Sequence, residues 1–273
     1  MKNIYFLLFL SICGFANAQI VNIPDANFKH ALIYELVADF DGDGYPDTDA
    51  DTNNDGEIQV SEAVAVKGLF VYGREIESLE GIQNFVNLKF LDCTFNDLSS
   101  IDLSQCVDLQ YLLIQQNNIF SLDLTQNLIL KILTCENNEI SSLDMTANMN
   151  LESYRGYNNS MTNLLLPPTP TLTHVSCWQN LLTVIDVSQN PNLVELNCGG
   201  NLLSSIDVSQ NTNLEFLAEG GNLFTNIDVT NNVNLKYLFC NQNQLTTLDV
   251  SQNLELIILS CHKNGFDQYK SCR

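Results

Sequence analysis

An asparagine returns every 21 residues through most of this chain: Asn96, Asn117, Asn138, Asn159, Asn180, Asn201, Asn222, Asn243 and Asn264. A leucine stands eight residues before each one, from Leu88 and Leu109 to Leu235 and Leu256. Three residues after that leucine comes an aligned aliphatic or tyrosine, as at Leu91, Tyr154 and Val175. A unit this small cannot bury its own apolar face, so units at one fixed period must stack into a solenoid. Such an array offers a long exposed surface rather than a deep pocket. Binding, not catalysis, is the first expectation.

Each unit reads L-x-x-L-x-C-x-x-N-x-L, and x-L-x-C-x is its strand. Side chains alternate faces along a strand, so Leu and Cys point into the core and the x positions point out. The Asn column reads as a buried ladder whose amides serve the backbone groups where the chain leaves each strand. Asp102, Asp123, Asp144, Asp186, Asp207, Asp228 and Asp249 form a second column, each with Ser or Thr two residues on. These read as turn caps, with a calcium-binding column as the alternative. Six cysteines share the inward column: Cys93, Cys135, Cys177, Cys198, Cys240 and Cys261. Ile114 replaces them once, which implies a compact apolar slot and free buried thiols. A C-terminal Cys261–Cys272 bridge is the alternative at that end. In the fifth unit Pro167, Pro168 and Pro170 interrupt the motif without breaking the period, which implies a stiffened turn.

LKFLDCTFNDL (88–98), LVELNCGGNLL (193–203) and LKYLFCNQNQL (235–245) resemble the leucine-rich repeat. The spacers are similar to short repeats of Bacteroidetes surface proteins, and SLEGIQNFVNLKFL (78–91) resembles internalin. The resemblance implies an α/β solenoid: a right-handed array of about nine units, a parallel sheet on the concave face and a small helical N-terminal cap. Relatives of this kind are expected to continue into a C-terminal secretion and sorting domain, which the final residues FDQYKSCR do not resemble.

The first 18 residues carry Lys2, the apolar stretch 4–13 and Ala16-Asn17-Ala18, the pattern of a secretory signal. The expected division is therefore 1–18 signal peptide, 19–78 cap and 79–273 repeat domain. Localisation is expected to be secreted, extracellular or at the cell surface. Loss of Lys2 takes the net charge from −21 to −22, which argues against nucleic acid, whose phosphates need a basic footprint. No later apolar run is long enough to span a bilayer.

In the cap, Asp25 is placed to start a helix through Phe28, Ala31, Leu32 and Leu36. DTNNDGEIQVSE (51–62) then matches an EF-hand calcium loop. Asp51, Asn53 and Asp55 would give side-chain oxygens and Glu57 its carbonyl. Gln59 would act through water, and Glu62 would supply a bidentate carboxylate. Asp39, Asp41 and Asp43, with Asp47, form a second candidate site. Nine carboxylates and no basic residue lie between Asp39 and Glu62, which favours a structural Ca2+ as the cofactor.

The outward strand positions include Tyr111, Arg155, Tyr157, His174, Trp178, Phe216, Tyr237 and Phe239. Trp, Tyr and Arg anchor interfaces, and flat aromatics stack on sugar rings. A protein or glycan ligand is expected at this face of a monomer, centred on Arg155, Tyr157, His174 and Trp178. Two other readings are an internalin-like adhesin and a structural repeat protein with no single ligand. The three histidines, at 30, 174 and 262, lie far apart, and no triad, zinc spacing or phosphate loop accompanies them. No catalytic residue is expected.

Overall fold

The computed structural model describes residues 19–266. The signal peptide and the Cys272 end of the expected bridge lie outside those residues. The fold is a leucine-rich repeat solenoid. Its main sheet begins with β1 (Ala38–Asp39), antiparallel to β2 (Gly68–Phe70). From β2 onward every pairing is parallel and in register. Next come β3 (Phe90–Asp92), β4 (Tyr111–Leu113) and β5 (Ile132–Thr134). β6 (Ser142–Asp144) and β8 (Asn163–Leu165) pair separately, on the other side of the coil. The main sheet continues through β7 (Ser153–Arg155), β9 (His174–Ser176), β10 (Glu195–Asn197), β11 (Phe216–Ala218), β12 (Tyr237–Phe239) and β13 (Ile258–Ser260). The extra β6–β8 pair joins the unit before the proline run to the proline unit itself. It adds backbone bonding at the turn the prolines stiffen.

The inward columns form one continuous core. Leu88, Leu91, Leu109, Leu112, Leu193 and Leu196 are among its fully buried members. Two positions in the cysteine column break the pattern. Gly156 leaves a hole that Tyr154, the tyrosine in the leucine column, fills: a Cβ on Gly156 would lie 1.9 Å from the Tyr154 hydroxyl. At the other, Glu219 stands buried between Cys198 and Cys240, with no hydrogen-bond partner on either carboxylate oxygen. Burial pushes its carboxyl up to about 8.

Cys93, Cys135, Cys177, Cys198 and Cys240 are free and buried, and burial pushes the thiols of Cys177 and Cys240 up to about 12. They are apolar filling rather than reactive groups. Cys261 corrects the free-thiol expectation, because it is disulfide-bonded. No other described cysteine is bridged, so its partner lies outside the described residues.

The expected asparagine ladder is present. Asn201 Nδ2 donates to the carbonyls of Cys177 (3.1 Å) and Cys198 (3.0 Å), and its Oδ1 accepts from the Leu182 N–H (3.0 Å). The same bonds recur through the array to Asn264. Each ladder residue follows a left-handed residue. Glycine fills that place only at Gly200 and Gly221; seven other repeats hold it with Phe, Gln, Asn or Lys at φ between 52° and 58°.

A second ladder was not foreseen. Asn127, Asn148, Asn190, Asn211, Asn232 and Asn253 are buried on the far side of the coil. Asn211 Nδ2 donates to the carbonyls of Val187 (2.9 Å) and Asn190 (2.8 Å), while its Oδ1 has no partner. Cys106 and Thr169 take the same place in two units. Each faces a carbonyl with its own donor: Cys106 Sγ to Ile82 (3.6 Å) and Thr169 Oγ1 to Met149 (2.8 Å).

The Asp column caps turns as expected. Asp186 Oδ1 accepts from the Ser188 N–H (2.9 Å), and that N–H and hydroxyl hold its carboxyl below the usual range. The same bond recurs from Asp102 to Asp249.

Candidate functional site

The cap places its acidic residues on two loops. Helix α1 (Ala26–Tyr34) starts at Asp25, whose Oδ1 accepts from the N–H groups of Asn27 and Phe28 (both 2.9 Å). The helix ends before Leu36, which is exposed; Ile33 takes the buried place instead. Asp25 Oδ2 also accepts from Glu77 and Ser78, tying the helix start to the first repeat.

Asp39, Asp41 and Asp43 meet on the loop after β1, with ligand-capable oxygens within 4.8 Å of one another. Asp39 is buried and accepts from Gly42 (2.5 Å) and Gly44 (2.9 Å). Asp47 Oδ2 accepts from the Phe40 N–H (2.8 Å) and closes that loop. Lys67 reaches in from the flank, but its Nζ donates to the Asp41 carbonyl (3.1 Å), not to a carboxylate.

In the second loop Gly56 makes the sharp turn at φ 82°, and Asp51 is buried, accepting from Asp55 (3.2 Å) and Gly56 (2.8 Å). Gln59 Nε2 donates to both Asp55 oxygens (3.1 and 3.0 Å) and reaches the Glu57 carbonyl (3.4 Å). The Asn53 amide donates to Gln59 Oε1 (2.6 Å). Glu62 is turned into helix α2 (Val60–Ala65), where its Oε2 accepts from the Gln59 N–H (2.9 Å) and completes a capping box. The Glu57 carboxylate pairs with Lys29 Nζ (2.6 Å). A donor therefore stands among the oxygens that the loop spacing assigns to a cation.

On the outer face of the sheet, the aromatic residues fall into three groups. Phe70, Phe90 and Tyr111 stack in succession, with centroids 4.9 and 5.7 Å apart. Phe216 packs on Tyr237 (6.2 Å) and Phe239 (5.5 Å). Tyr157 and Trp178 stack at 4.7 Å and 18°. His174 opens β9 and lies four residues from Trp178 along the chain, roughly 13 Å away on strand rise. Its Nδ1 contacts Thr173 Oγ1 (2.8 Å). The four residues proposed as a centre therefore spread along the face; Tyr157 and Trp178 alone form a stacked pair. Glu136 points outward by register yet is 8% exposed, and burial raises its carboxyl while nearby Arg155 lowers it.

Beyond Trp178 the face sinks into a trough of about 430 Å³ floored by Gly199, Gly200, Gly220 and Gly221. Phe239, Asn241 and Gln242 form the opposite wall. The two Gly-Gly pairs are the sequence signal for this trough.

Among solved structures, the fold is similar to the functional domain of InlJ from Listeria monocytogenes, a domain that itself includes a cysteine ladder. The TM-score is 0.64 at 30% identity over 87% of this chain. The chain spans only about half of that one, 55% of its length. It is also similar to the plant peptide hormone receptor RGFR1 in complex with RGF2, with TM-score 0.65 and 25% identity over 75% of this chain and 38% of the receptor. Internalin C2 from Listeria monocytogenes shares the fold at TM-score 0.61 and 17% identity, over 89% and 96% of the two chains. No family model and no curated protein matches the sequence. Among the described residues no helix is long and apolar enough to cross a membrane.

Proposed function

Proceeding from a leucine-rich repeat solenoid with internalin-like and receptor-like neighbours, we propose a secreted or cell-surface binding protein that takes a protein or glycan ligand on the outer, concave face of its sheet. One observation carries this reading. Along every strand the inward positions repeat almost unchanged, while the outward ones vary and gather aromatics into distinct groups. Core packing requires the first pattern and does not require the second. One neighbour is a plant peptide hormone receptor solved in complex with RGF2, which supports a binding role. The test is an array of neutral and acidic glycans and surface proteins, probed with the calcium-loaded mature chain. Ligands should be lost with Ser176→Arg on the outer face and kept with Ser188→Arg on the opposite turn. The reverse pattern would move the site off the sheet.

The cap is proposed to hold structural Ca2+. Asp39, Asp41 and Asp43 fit a hard cation, since their oxygens converge and no described ammonium or guanidinium pairs with them. The 51–62 loop would fit only with both the Gln59 amide turned away from Asp55 and Glu62 released from its bonds to Gln59, Thr52 and Asn53; Asp51, Asn53, Asp55, the Glu57 carbonyl and Glu62 would then be its ligands. Calcium should raise the melting temperature over a chelated sample, less so in Asp41→Asn/Asp43→Asn and in Asp55→Asn. An unchanged melting temperature in the parent protein would defeat the calcium reading.

A further inference from the structure

We propose that the glycine trough is a saccharide slot, in which a neutral hexopyranose ring lies against the free face of Trp178 and its hydroxyls bond to the amides at the rim. This narrows the outer-face reading above and rests on it.

Residues at one position of successive repeats stand about 4.8 Å apart along the sheet. In the row containing Trp178, the residue before it is Tyr157, which covers one indole face at 4.7 Å. The next two members are Gly199 and Gly220, which have no side chain to cover the other face. Only at Asn241 does the row rise again. Trp178 and Asn241 stand three strand spacings apart, roughly 14 Å, which leaves room for a ring stacked on the indole and for its substituents. In the adjoining row Ala218 keeps the floor low.

A Cβ on Gly199 would lie 2.9 Å from the Gly220 carbonyl oxygen and one on Gly220 3.0 Å from that of Asn241, so close backbone approach keeps this pair free of side chains, whereas the left-handed turn after them does not require glycine. Seven repeats make the same left-handed turn at the Gly200 and Gly221 position with larger residues. At the Gly199 and Gly220 position the other repeats carry Thr, Gln, Glu, Tyr, Trp, Asn or His. What sets these two repeats apart is an absence of side chains on one side of a tryptophan.

Charge selects the ligand class. The chain carries −21, yet no charged side chain lines the trough. An acidic glycan would meet an unfavourable field, and a basic ligand would find no carboxylate there. The rim offers amides instead. Gln179 and Gln242 make no side-chain hydrogen bond among the described residues, and Asn241 holds a long one, 3.4 Å from Ser260 Oγ. Each amide has a donor and an acceptor, matching a sugar hydroxyl, which is also both. The axial C–H face of a pyranose is apolar and slightly positive, complementary to the negative face of an indole. A concave apolar surface with a few convergent polar groups is the usual form of a small-ligand site.

Trp178 is the chain's single tryptophan, so its fluorescence reports on the slot alone. The probes are the methyl glycosides of glucose, galactose, mannose and N-acetylglucosamine, and their linear oligomers up to four units. At least one should change the emission saturably. Ala218→Tyr, which fills the trough without touching Trp178, should weaken that response at least tenfold, as should Asn197→Tyr if the first variant does not fold. Gln179→Ala should weaken it less. A silent panel overturns the proposal, as does a response unchanged in the filled variant, and so does a peptide titrating the slot where saccharides do not. A ligand mapped elsewhere on the outer face, with the slot silent, overturns the saccharide slot alone. No ligand anywhere on that face overturns both readings.

Discussion

The two asparagine ladders run side by side through the same array, yet one admits no substitute and the other admits two. At the strand exit, all nine units carry Asn, and the amide is used on both sides: Nδ2 donates to carbonyls and Oδ1 accepts from the preceding unit's N–H. On the far side of the coil only the donor is used. Five of those amides leave Oδ1 buried without a partner. A hydroxyl at Thr169 and a thiol at Cys106 serve there, because each can donate. A column's sequence identity thus follows the number of hydrogen-bonding roles it must fill, not its depth of burial. The far-side ladder is the deeper one: its asparagines are all buried, whereas Asn159 and Asn264 of the strand-exit ladder are half-buried.

The largest effect is expected where a core column fills neither role. Glu219 offers two buried acceptors to no donor, and its folded pKa is raised to about 8 from an ordinary value of 4.5. Its penalty is absent below the unfolded pKa, grows as pH rises, and is complete above about 8. At 1.36 kcal/mol per unit it is on the order of 5 kcal/mol. The melting temperature should therefore fall between pH 5 and 8.5. Glu219→Ile, using the residue found at Ile114, should remove most of that slope and stabilise the protein at pH 8. A slope unchanged in the variant would mean that another group sets it.

Next in size is Asn201→Ala. It leaves the Leu182 N–H unpaired in the core, a loss of about 1–3 kcal/mol, while the Cys177 and Cys198 carbonyls keep the amides of Asn180 and Asn222. Denaturant midpoints read it directly. Asn211→Ala strands no group, since the Val187 and Asn190 carbonyls still accept from the Asn190 and Leu193 N–H groups, and it also removes an unpaired acceptor. Its loss should be the smaller of the two, about 0.5–1.5 kcal/mol.

Most of the fold was legible in the sequence, since the inward columns obey one spacing rule and a period of 21 fixes their register. The turn role of the Asp column was legible too, because Ser or Thr stands at a fixed offset. The second ladder shows the same period as a column of turn asparagines, but spacing alone does not tell that a turn residue is buried and bonded from unit to unit. Gly156 was invisible for another reason: its hole is filled by a residue in a different column, Tyr154, which sequence spacing does not connect to it. The cap was ambiguous in principle. A Glu three residues after a helix N-cap and a Glu ending a calcium loop occupy the same position, and Glu62 satisfies both descriptions. On the outer face, register told which side chains point outward, but not that Trp178 borders a gap. That gap is made by residues lacking side chains, which a search for functional groups passes by.

The most direct test of the ladder account places one substitution in both columns, Asn201→Thr and Asn211→Thr, and compares their denaturant midpoints. Threonine can donate in either place, but its short side chain cannot also accept from the preceding unit. The account predicts a loss of at least about 2 kcal/mol at 201 and within about 0.5–1 kcal/mol at 211. Equal losses at the two sites would contradict it.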